Sequence, residues 1–260
     1  MKKKFSFRTL YLILIMIFFY APIIYVVVFS FNSTRSLTTF TGFSLRWYEK
    51  MFQSRSMMES IYYSLLIALL ATGISTVVGT IAAISLSKSK RVIREVVTYV
   101  NNLPMLNPDI VTAIGLMLFF STLGIKTGFG TLLIAHIMFC IPYVMLSVTP
   151  KLRQLDDNVA EAALDLGCTP FQALTKVIIP QIKEGILSGA LVAFMMSFDD
   201  FVISYFTTGP GINNISTYVY ATSKRINPSI NALSTIIIVC VTVILIGVNV
   251  SSIVKTRKAK

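Results

Sequence analysis

The chain has 260 residues, of which 55% are hydrophobic and 13% are charged, and its formal net charge is +12. Soluble domains carry about 25% charged residues, so this composition excludes an ordinary soluble protein and indicates an integral membrane protein. In a soluble protein the basic excess would suggest nucleic acid as a partner, but here it must first be explained by membrane topology. The three cysteines have no metal-ligand or redox spacing and predict no disulfide.

Six apolar stretches are long enough to cross a bilayer, which takes about 20 helical residues. We predict an all-α, polytopic membrane protein whose single domain occupies residues 1–260. The predicted transmembrane helices cover residues 10–29, 61–86, 96–123, 131–148, 186–206 and 230–254. The third stretch contains Asn107, Pro108 and Asp109, which are typical of an N-cap and the first two residues of a restarted helix. We therefore expect that helix to be bent or broken there.

The loop between the first two predicted spans is polar. Its residues 43–52 have the composition of a short helix lying at the membrane surface. Within it, Trp47 stands next to Tyr48 and close to Lys50, which is typical of an interfacial anchor.

The basic residues predict the orientation in the membrane. Six spans place both termini on one side, and 16 of the 23 Lys and Arg residues fall on that side. Because cytoplasmic loops carry the excess of positive charge, both termini are predicted to be cytoplasmic. A polar segment, residues 155–185, separates the fourth and fifth predicted spans and is placed in the cytoplasm as well.

This polar segment has the pattern of a helix, a tight turn and a second helix. Apolar residues repeat at helical spacing through its first part: Leu155, Val159, Ala162, Ala163 and Leu166. Gly167 suits the left-handed residue that ends such a helix. Thr169, Pro170 and Gln172 then match an N-cap, an N1 proline and a capping-box partner. On this pattern alone, the segment is either an ordinary cytoplasmic helical hairpin or a docking element.

The residues of the polar segment also resemble a known family. The EAA loop of permease subunits of ATP-binding-cassette importers has the pattern E-A-A-x3-G-x9-I-x-L-P. The matching residues are Glu161, Ala162, Ala163, Gly167, Val177, Ile179 and Pro180, of which Val177 and Ile179 are conservative departures. The resemblance extends over residues 61–254 and implies the six-span architecture of type I importer permeases in a bacterial inner membrane. It also implies that the loop docks in a cleft of a separate cytoplasmic ATPase and transmits its closure to the membrane helices.

The resemblance further implies which partners supply the energy and the solute. These are a second permease subunit, a dimer of ATP-binding-cassette ATPases that binds ATP and Mg²⁺, and an external solute-binding protein. The sequence contains no G-x-x-x-x-G-K-[ST] phosphate-binding loop, so this chain is not expected to hydrolyse ATP. We expect no catalytic residue, metal or cofactor in it.

A secondary transporter or channel is the alternative from a different class. It would need ionisable relays or a polar lumen within the spans, and the candidates are few: Asp109, His136, Asp199 and Asp200. His136 has no carboxylate near it in sequence, which favours a hydrogen-bonded packing role over a proton relay.

Asp199 and Asp200 carry the prediction about substrate. Each carboxylate at membrane depth costs about 2.5 to 3.5 kcal/mol, which a cationic substrate would offset. Residues 196–210 and 107–120 resemble the corresponding segments of spermidine/putrescine importer permeases of the PotC type, which implies polyamine import. Aromatic faces such as those of Phe198 and Tyr205 would add cation–π contacts.

Other interpretations of these residues stay open at this point. Adjacent helical residues point about 100° apart, so at most one of Asp199 and Asp200 can face a pathway squarely. The other could pair with the partner permease or satisfy a local donor. Asp109, a further candidate for the pathway, is better explained as part of a helix cap. Within the same machinery, the solute could instead be an iron(III) complex or an organic anion.

Overall fold

The computed structural model describes residues 7–156, 158–223 and 227–258. Within them every regular element is a helix, and no β-strand is present. In chain order the elements are α1 (Phe7–Ser30), α2 (Arg46–Gln53), α3 (Arg55–Ser87), α4 (Arg91–Leu106), α5 (Asp109–Thr122), α6 (Phe129–Leu152), α7 (Val159–Asp165), α8 (Pro170–Ala173), a π-helical turn (Leu174–Ile178), α9 (Ile179–Asp199), α10 (Val202–Thr207), α11 (Ile215–Thr222) and α12 (Ser229–Lys258). Some basic residues of the topology argument lie outside the described residues: Lys2, Lys3, Lys4, Lys224, Arg225 and Lys260.

Four described helical stretches are long and apolar enough to cross a membrane. They are Leu10–Ser30 within α1, all of α3, all of α6, and the continuous run Pro170–Asp199. The pair α4 and α5 can supply a fifth span, and the described apolar part of α12, Ser229–Val243, is shorter than a span. The all-α membrane architecture is therefore confirmed, whereas the number of six spans stays a prediction.

The third predicted span is broken where the Asn-Pro-Asp sequence lies. Asn107 is extended, with ψ at 146°, because the proline that follows disfavours helical geometry in the preceding residue. The axes of α4 and α5 differ in direction by 104°. One detail of the prediction is wrong, since the N-cap is Pro108 and not Asn107. Asp109 is consequently the first residue of α5, where its charge complements the helix dipole.

The chain forms two compact units, and the first comprises residues 1–58 and 219–260. In it, α12 packs against α1 and against α2. Trp47 of α2 is only 2% exposed, and its indole nitrogen donates to the Asn32 carbonyl oxygen at 2.6 Å. The prediction of an interfacial anchor at Trp47 is wrong, because the Asn32 carbonyl gives the indole a buried hydrogen-bond partner.

The second unit, Glu59–Tyr218, is built around α6. This helix packs against α9, α10 and α4. Small residues allow the close approach: a Cβ added at Gly189 of α9 would lie 3.1 Å from the Cα of Val144, and one added at Gly185 would lie 3.1 Å from the Ser147 carbonyl oxygen. Because these two glycines are four residues apart, they lie on the same face of α9, and α6 and α9 are packed backbone to backbone.

Candidate functional site

The first helix of the polar segment ends as the sequence predicts. Gly167 has φ at +86°, a conformation that a side chain would strain. Its amide donates to the Leu164 carbonyl at 2.9 Å, and the Cys168 amide donates to the Ala163 carbonyl at 3.1 Å. This is the hydrogen-bond pattern of a Schellman C-cap, so the turn follows directly from the glycine.

Two features of this helix differ from the prediction. It begins at Val159, four residues after Leu155, because the Asp156 side chain accepts the Asn158 amide at 3.0 Å in a competing turn. Leu166 does not join a buried face, since it is 86% exposed just beyond the last helical residue. Ala163 is the residue that packs inward, with 6% of its surface exposed.

The outer surface of the polar segment is apolar as well as charged. Glu161 and Ala162 are exposed, and so are three large apolar side chains: Leu164 at 43%, Leu166 at 86% and Phe171 at 72%. We call these three residues the apolar knob. Because they surround the Gly167 turn, the knob presents side chains that a partner could bury.

The second helix of the polar segment starts with the predicted capping box. The Thr169 hydroxyl accepts the Gln172 amide at 3.3 Å, and the Gln172 side chain accepts the Thr169 amide at 3.0 Å. Pro180, the last residue of the EAA-like pattern, is exposed and follows the π-helical turn. Proline has no amide to donate to the preceding turn, which is a local reason for the widened helix. The whole run from Pro170 to Asp199 is continuous.

The continuous run ends at the two aspartates, and here the prediction is wrong. Asp199 is the last residue of α9, whereas Asp200 is extended, with ψ at 129°, and α10 begins only at Val202. The Asp200 carboxylate accepts the amides of Ile203 at 3.2 Å and Ser204 at 2.7 Å. A side chain that satisfies the free amides of a new helix stabilises a break in the old one.

A buried polar network surrounds Asp200. His136 of α6 contacts Ser197 through Nδ1 at 2.7 Å and Ser204 through Nε2 at 3.0 Å. The same Nε2 lies 3.5 Å from the Asp200 carboxylate, whose side chain is 7% exposed. Asn214 donates to the Ser204 hydroxyl at 2.7 Å and to the Asp200 carbonyl at 3.1 Å. We call these five residues the histidine network.

The fold therefore provides the carboxylate that His136 lacks in sequence. No local pattern in the sequence points to Ser197, Ser204 and Asn214, because their partners lie far along the chain. His136 is 61 residues from Ser197 and 68 residues from Ser204. The one available signal was the presence of a histidine and two aspartates in predicted spans.

Asp199 has different surroundings from Asp200. It is exposed, and its carbonyl oxygen lies 3.5 Å from the Ser216 hydroxyl. Phe198, half-buried, stacks on Phe194 with ring centroids 5.7 Å apart. Tyr205 is 49% exposed and lies beside Phe201, with centroids 5.6 Å apart.

Asp109 is also exposed. It begins α5, the helix against which α10 packs. Among the described residues, no group of three or more His, Cys, Asp and Glu side chains is arranged to hold a metal ion.

Comparison with known proteins gives consistent matches. The family model of the binding-protein-dependent transport system inner membrane component matches residues 75–255. The putrescine transport system permease protein PotI of Escherichia coli K12 is 36% identical over 239 residues, which cover 89% of this chain and 85% of PotI. The spermidine/putrescine transport system permease protein PotC of Haemophilus influenzae is 35% identical over 237 residues, covering 91% and 92%.

A solved structure shares the fold at low sequence identity. It is a bacterial alginate ABC transporter in complex with an alginate pentasaccharide-bound periplasmic protein. The matched chain is 19% identical with a TM-score of 0.66, and the match covers 90% of this chain and 88% of that one. At this level of identity the match supports the fold alone.

Proposed function

The chain belongs to the family of binding-protein-dependent transport system inner membrane components, and on that basis we propose that it is the permease subunit of an ATP-driven importer of putrescine or spermidine. The observation that carries the proposal is identity of 35% and 36% to polyamine permeases over about nine-tenths of the chain. The family consists of transport components and not of enzymes. The chain is accordingly a multi-pass protein of the inner membrane.

We propose that the polar segment docks on the ATPase and transmits its movement to the membrane helices. Its helix–glycine–helix turn displays the apolar knob, and large exposed apolar side chains gain most when a partner buries them. Glu161, Ala162, Ala163, Gly167 and Pro180 are the proposed coupling residues. From this segment the helical run, which includes the π-helical turn, continues to Asp199, so a push on the turn can reach that aspartate through one continuous element.

Asp199 is the proposed contact for the substrate. A polyamine carries several ammonium groups, and the exposed Asp199 carboxylate can exchange water for one of them without losing a hydrogen bond to another described residue. Phe198 and Tyr205 lie close in sequence to Asp199 and offer aromatic faces for cation–π contacts. Asp109 is proposed as a second carboxylate of the pathway.

The complete importer is proposed to contain four further chains around this subunit. These are a second permease, two ATPase subunits that bind ATP and Mg²⁺, and an external polyamine-binding protein. The excess of Lys and Arg supports cytoplasmic termini and a cytoplasmic polar segment. This chain itself is proposed to bind no cofactor.

Reconstituted vesicles test the function directly. The complete complex is placed in liposomes with ATP on the side of the ATPase and the binding protein on the other, and uptake of labelled putrescine and spermidine is measured. We expect uptake that requires ATP and persists when a protonophore collapses the proton gradient. The control is a catalytically inactive ATPase subunit in the same complex.

Two other outcomes would contradict the proposal in whole or in part. Uptake that continues with the inactive ATPase and stops with the protonophore contradicts the proposal in favour of a secondary transporter. Uptake of a ferric complex or an organic anion in place of the polyamines keeps the importer but overturns the substrate.

A further inference from the structure

We propose that Asp200 is a positioning residue, whose carboxylate is held by two amides of α10 and by His136. Asp199 then carries the carboxylate that is presented to the cationic substrate. This inference rests on the proposed function for the nature of the substrate. The distinction between the two aspartates rests on their hydrogen bonds and on the exposure of their side chains. Sequence alone treats the two residues as equivalent, whereas their hydrogen bonds separate them.

Both oxygens of the Asp200 carboxylate already accept hydrogen bonds within the protein. One oxygen accepts the Ile203 amide and the other the Ser204 amide, and the second oxygen also faces Nε2 of His136 at 3.5 Å. With 7% of its side chain exposed, it has little surface left for a ligand. If it turned to bind an ammonium group, it would leave two buried amides without acceptors, which is costly in an apolar medium.

The break after Asp199 is held by contacts from α6 and from Asn214, the residue before α11. Asn214, which precedes α11, donates to the Asp200 carbonyl, and its own side-chain oxygen accepts the amide and hydroxyl of Thr217. His136 of α6 reaches Ser197 on one side of the break and Ser204 on the other. The histidine network therefore fixes the direction in which the chain leaves α9.

The far end of α10 is anchored to α6 as well. The Thr131 hydroxyl donates to the Thr207 carbonyl at 2.9 Å. Just beyond α10, a Cβ added at Gly209 would collide with the Thr127 carbonyl, so the two backbones are in direct contact there. Because both ends of α10 are fixed, Asp200 cannot leave its position without moving α10.

Among the residues that the structure describes, none constrains the Asp199 side chain in this way. It is exposed at the last position of α9, and the contact at 3.5 Å from Ser216 uses its main-chain oxygen. The network thus acts on Asp199 by fixing the backbone that carries it. His136, Ser197, Ser204 and Asn214 are positioning residues in this arrangement and do not touch the substrate.

Charge-neutral variants of the two aspartates separate binding from positioning. In the reconstituted importer, Asp199→Asn is expected to lower putrescine uptake by about tenfold or more, because it removes a charge-assisted contact. Asp200→Asn keeps one of the two oxygens that accept the amides of Ile203 and Ser204, so we expect a smaller loss of uptake, about threefold. Asp200→Leu removes the acceptor altogether and is expected to reduce both uptake and the melting temperature of the complex.

These variants also distinguish failure of this inference from failure of the proposed function. If Asp200→Asn abolishes uptake as fully as Asp199→Asn while the complex stays assembled, Asp200 binds substrate and the inference is overturned. If Asp199→Asn transports normally, Asp199 is not the carboxylate that contacts the substrate, although polyamine import stands. An unaltered complex that does not import polyamines contradicts the proposed function itself.

A labelling experiment tests the positioning without any substrate. In a chain whose native cysteines are replaced by serine or alanine, Asp199→Cys is treated with a cationic methanethiosulfonate reagent. Adding His136→Leu is expected to change the labelling rate by at least about threefold, since the break loses its central contact. The matched control is Phe139→Leu, which is also buried on α6 but lies outside the network. Equal rates in the two backgrounds would refute the positioning role.

Discussion

The polar segment and the break after Asp199 use opposite means to shape a helix end. The polar segment satisfies its backbone locally, through Gly167 and Thr169, and leaves the apolar knob exposed. The break buries its polar side chains and satisfies them with residues from α6 and from the chain before α11. The first arrangement can bind a partner without unfolding, whereas the second maintains the shape of one compact unit. One continuous helical run joins them.

Because the break depends on side chains from distant parts of the chain, we predict that it is more sensitive than the polar segment to the loss of one side chain. His136→Leu removes the partner of a buried carboxylate and of two buried hydroxyls, so we expect a loss of about 3 kcal/mol in stability. Thermal unfolding of the purified complex in detergent measures it. Phe139→Leu shortens a buried apolar side chain on the same helix but leaves no polar group unpaired, so it should cost less, about 1.5 kcal/mol. Similar losses in the two variants would mean that the network adds nothing beyond packing.

The two regions also differ in how far the sequence could predict them. Gly167, Thr169 and Pro108 act on backbone within a few residues of themselves, so local rules predicted the C-cap, the capping box and the break between α4 and α5. The pairing of His136 with Asp200 depends on how α6 meets α9 and α10, which no local pattern encodes. Asp199 and Asp200 were therefore placed inside one helix, although α9 ends at Asp199 and Asp200 lies in the break before α10.

The predictions for Leu166 and Trp47 are wrong for the same reason, which is that local patterns do not encode tertiary contacts. Leu166 follows the apolar spacing of α7, but the glycine turn redirects the chain at that point and leaves its side chain exposed. Trp47 has the composition of an interfacial anchor, but the carbonyl of Asn32 lies within hydrogen-bond distance of its indole and both residues are buried. Periodicity predicts which residues share a face of an isolated helix, and the tertiary structure decides what that face meets.

Gly167 provides the second-largest expected effect and tests whether the polar segment needs its left-handed turn. Gly167→Val places a β-branched residue at φ +86°, which costs about 1 to 2 kcal/mol and favours a displaced turn. We expect ATP-driven uptake to fall to background while the permease still folds. Gly167→Asn is the matched control, because asparagine tolerates this conformation and should retain substantial uptake. Equal loss in both variants would show that the turn requires the absence of a side chain, and not the left-handed backbone.

Leu166 tests whether the apolar knob serves a partner. Since its side chain is 86% exposed, Leu166→Ser should change the stability of the permease by less than about 0.5 kcal/mol. If the knob docks in the ATPase, binding should weaken by about 1 to 2 kcal/mol, measured by titrating the ATPase onto the permease in nanodiscs. Leu45→Ser alters a leucine that is 52% exposed in the loop between the first two predicted spans and should leave ATPase affinity unchanged. Unchanged affinity for Leu166→Ser would remove this residue from the docking surface.

Thr169 carries the smallest expected effect and shows how local the polar segment is. Thr169→Ala removes the acceptor of the Gln172 amide, so the start of the second helix should lose about 1 kcal/mol of local stability. Hydrogen exchange of the Gln172 and Ala173 amides should quicken, while amides near Asp200 keep their protection because the histidine network does not depend on this cap. Thr169→Ser retains the hydroxyl and should exchange like the unaltered chain. Faster exchange around Asp200 in Thr169→Ala would mean that the two helix ends are energetically coupled through α9, and the contrast between a local and a long-range construction would no longer hold.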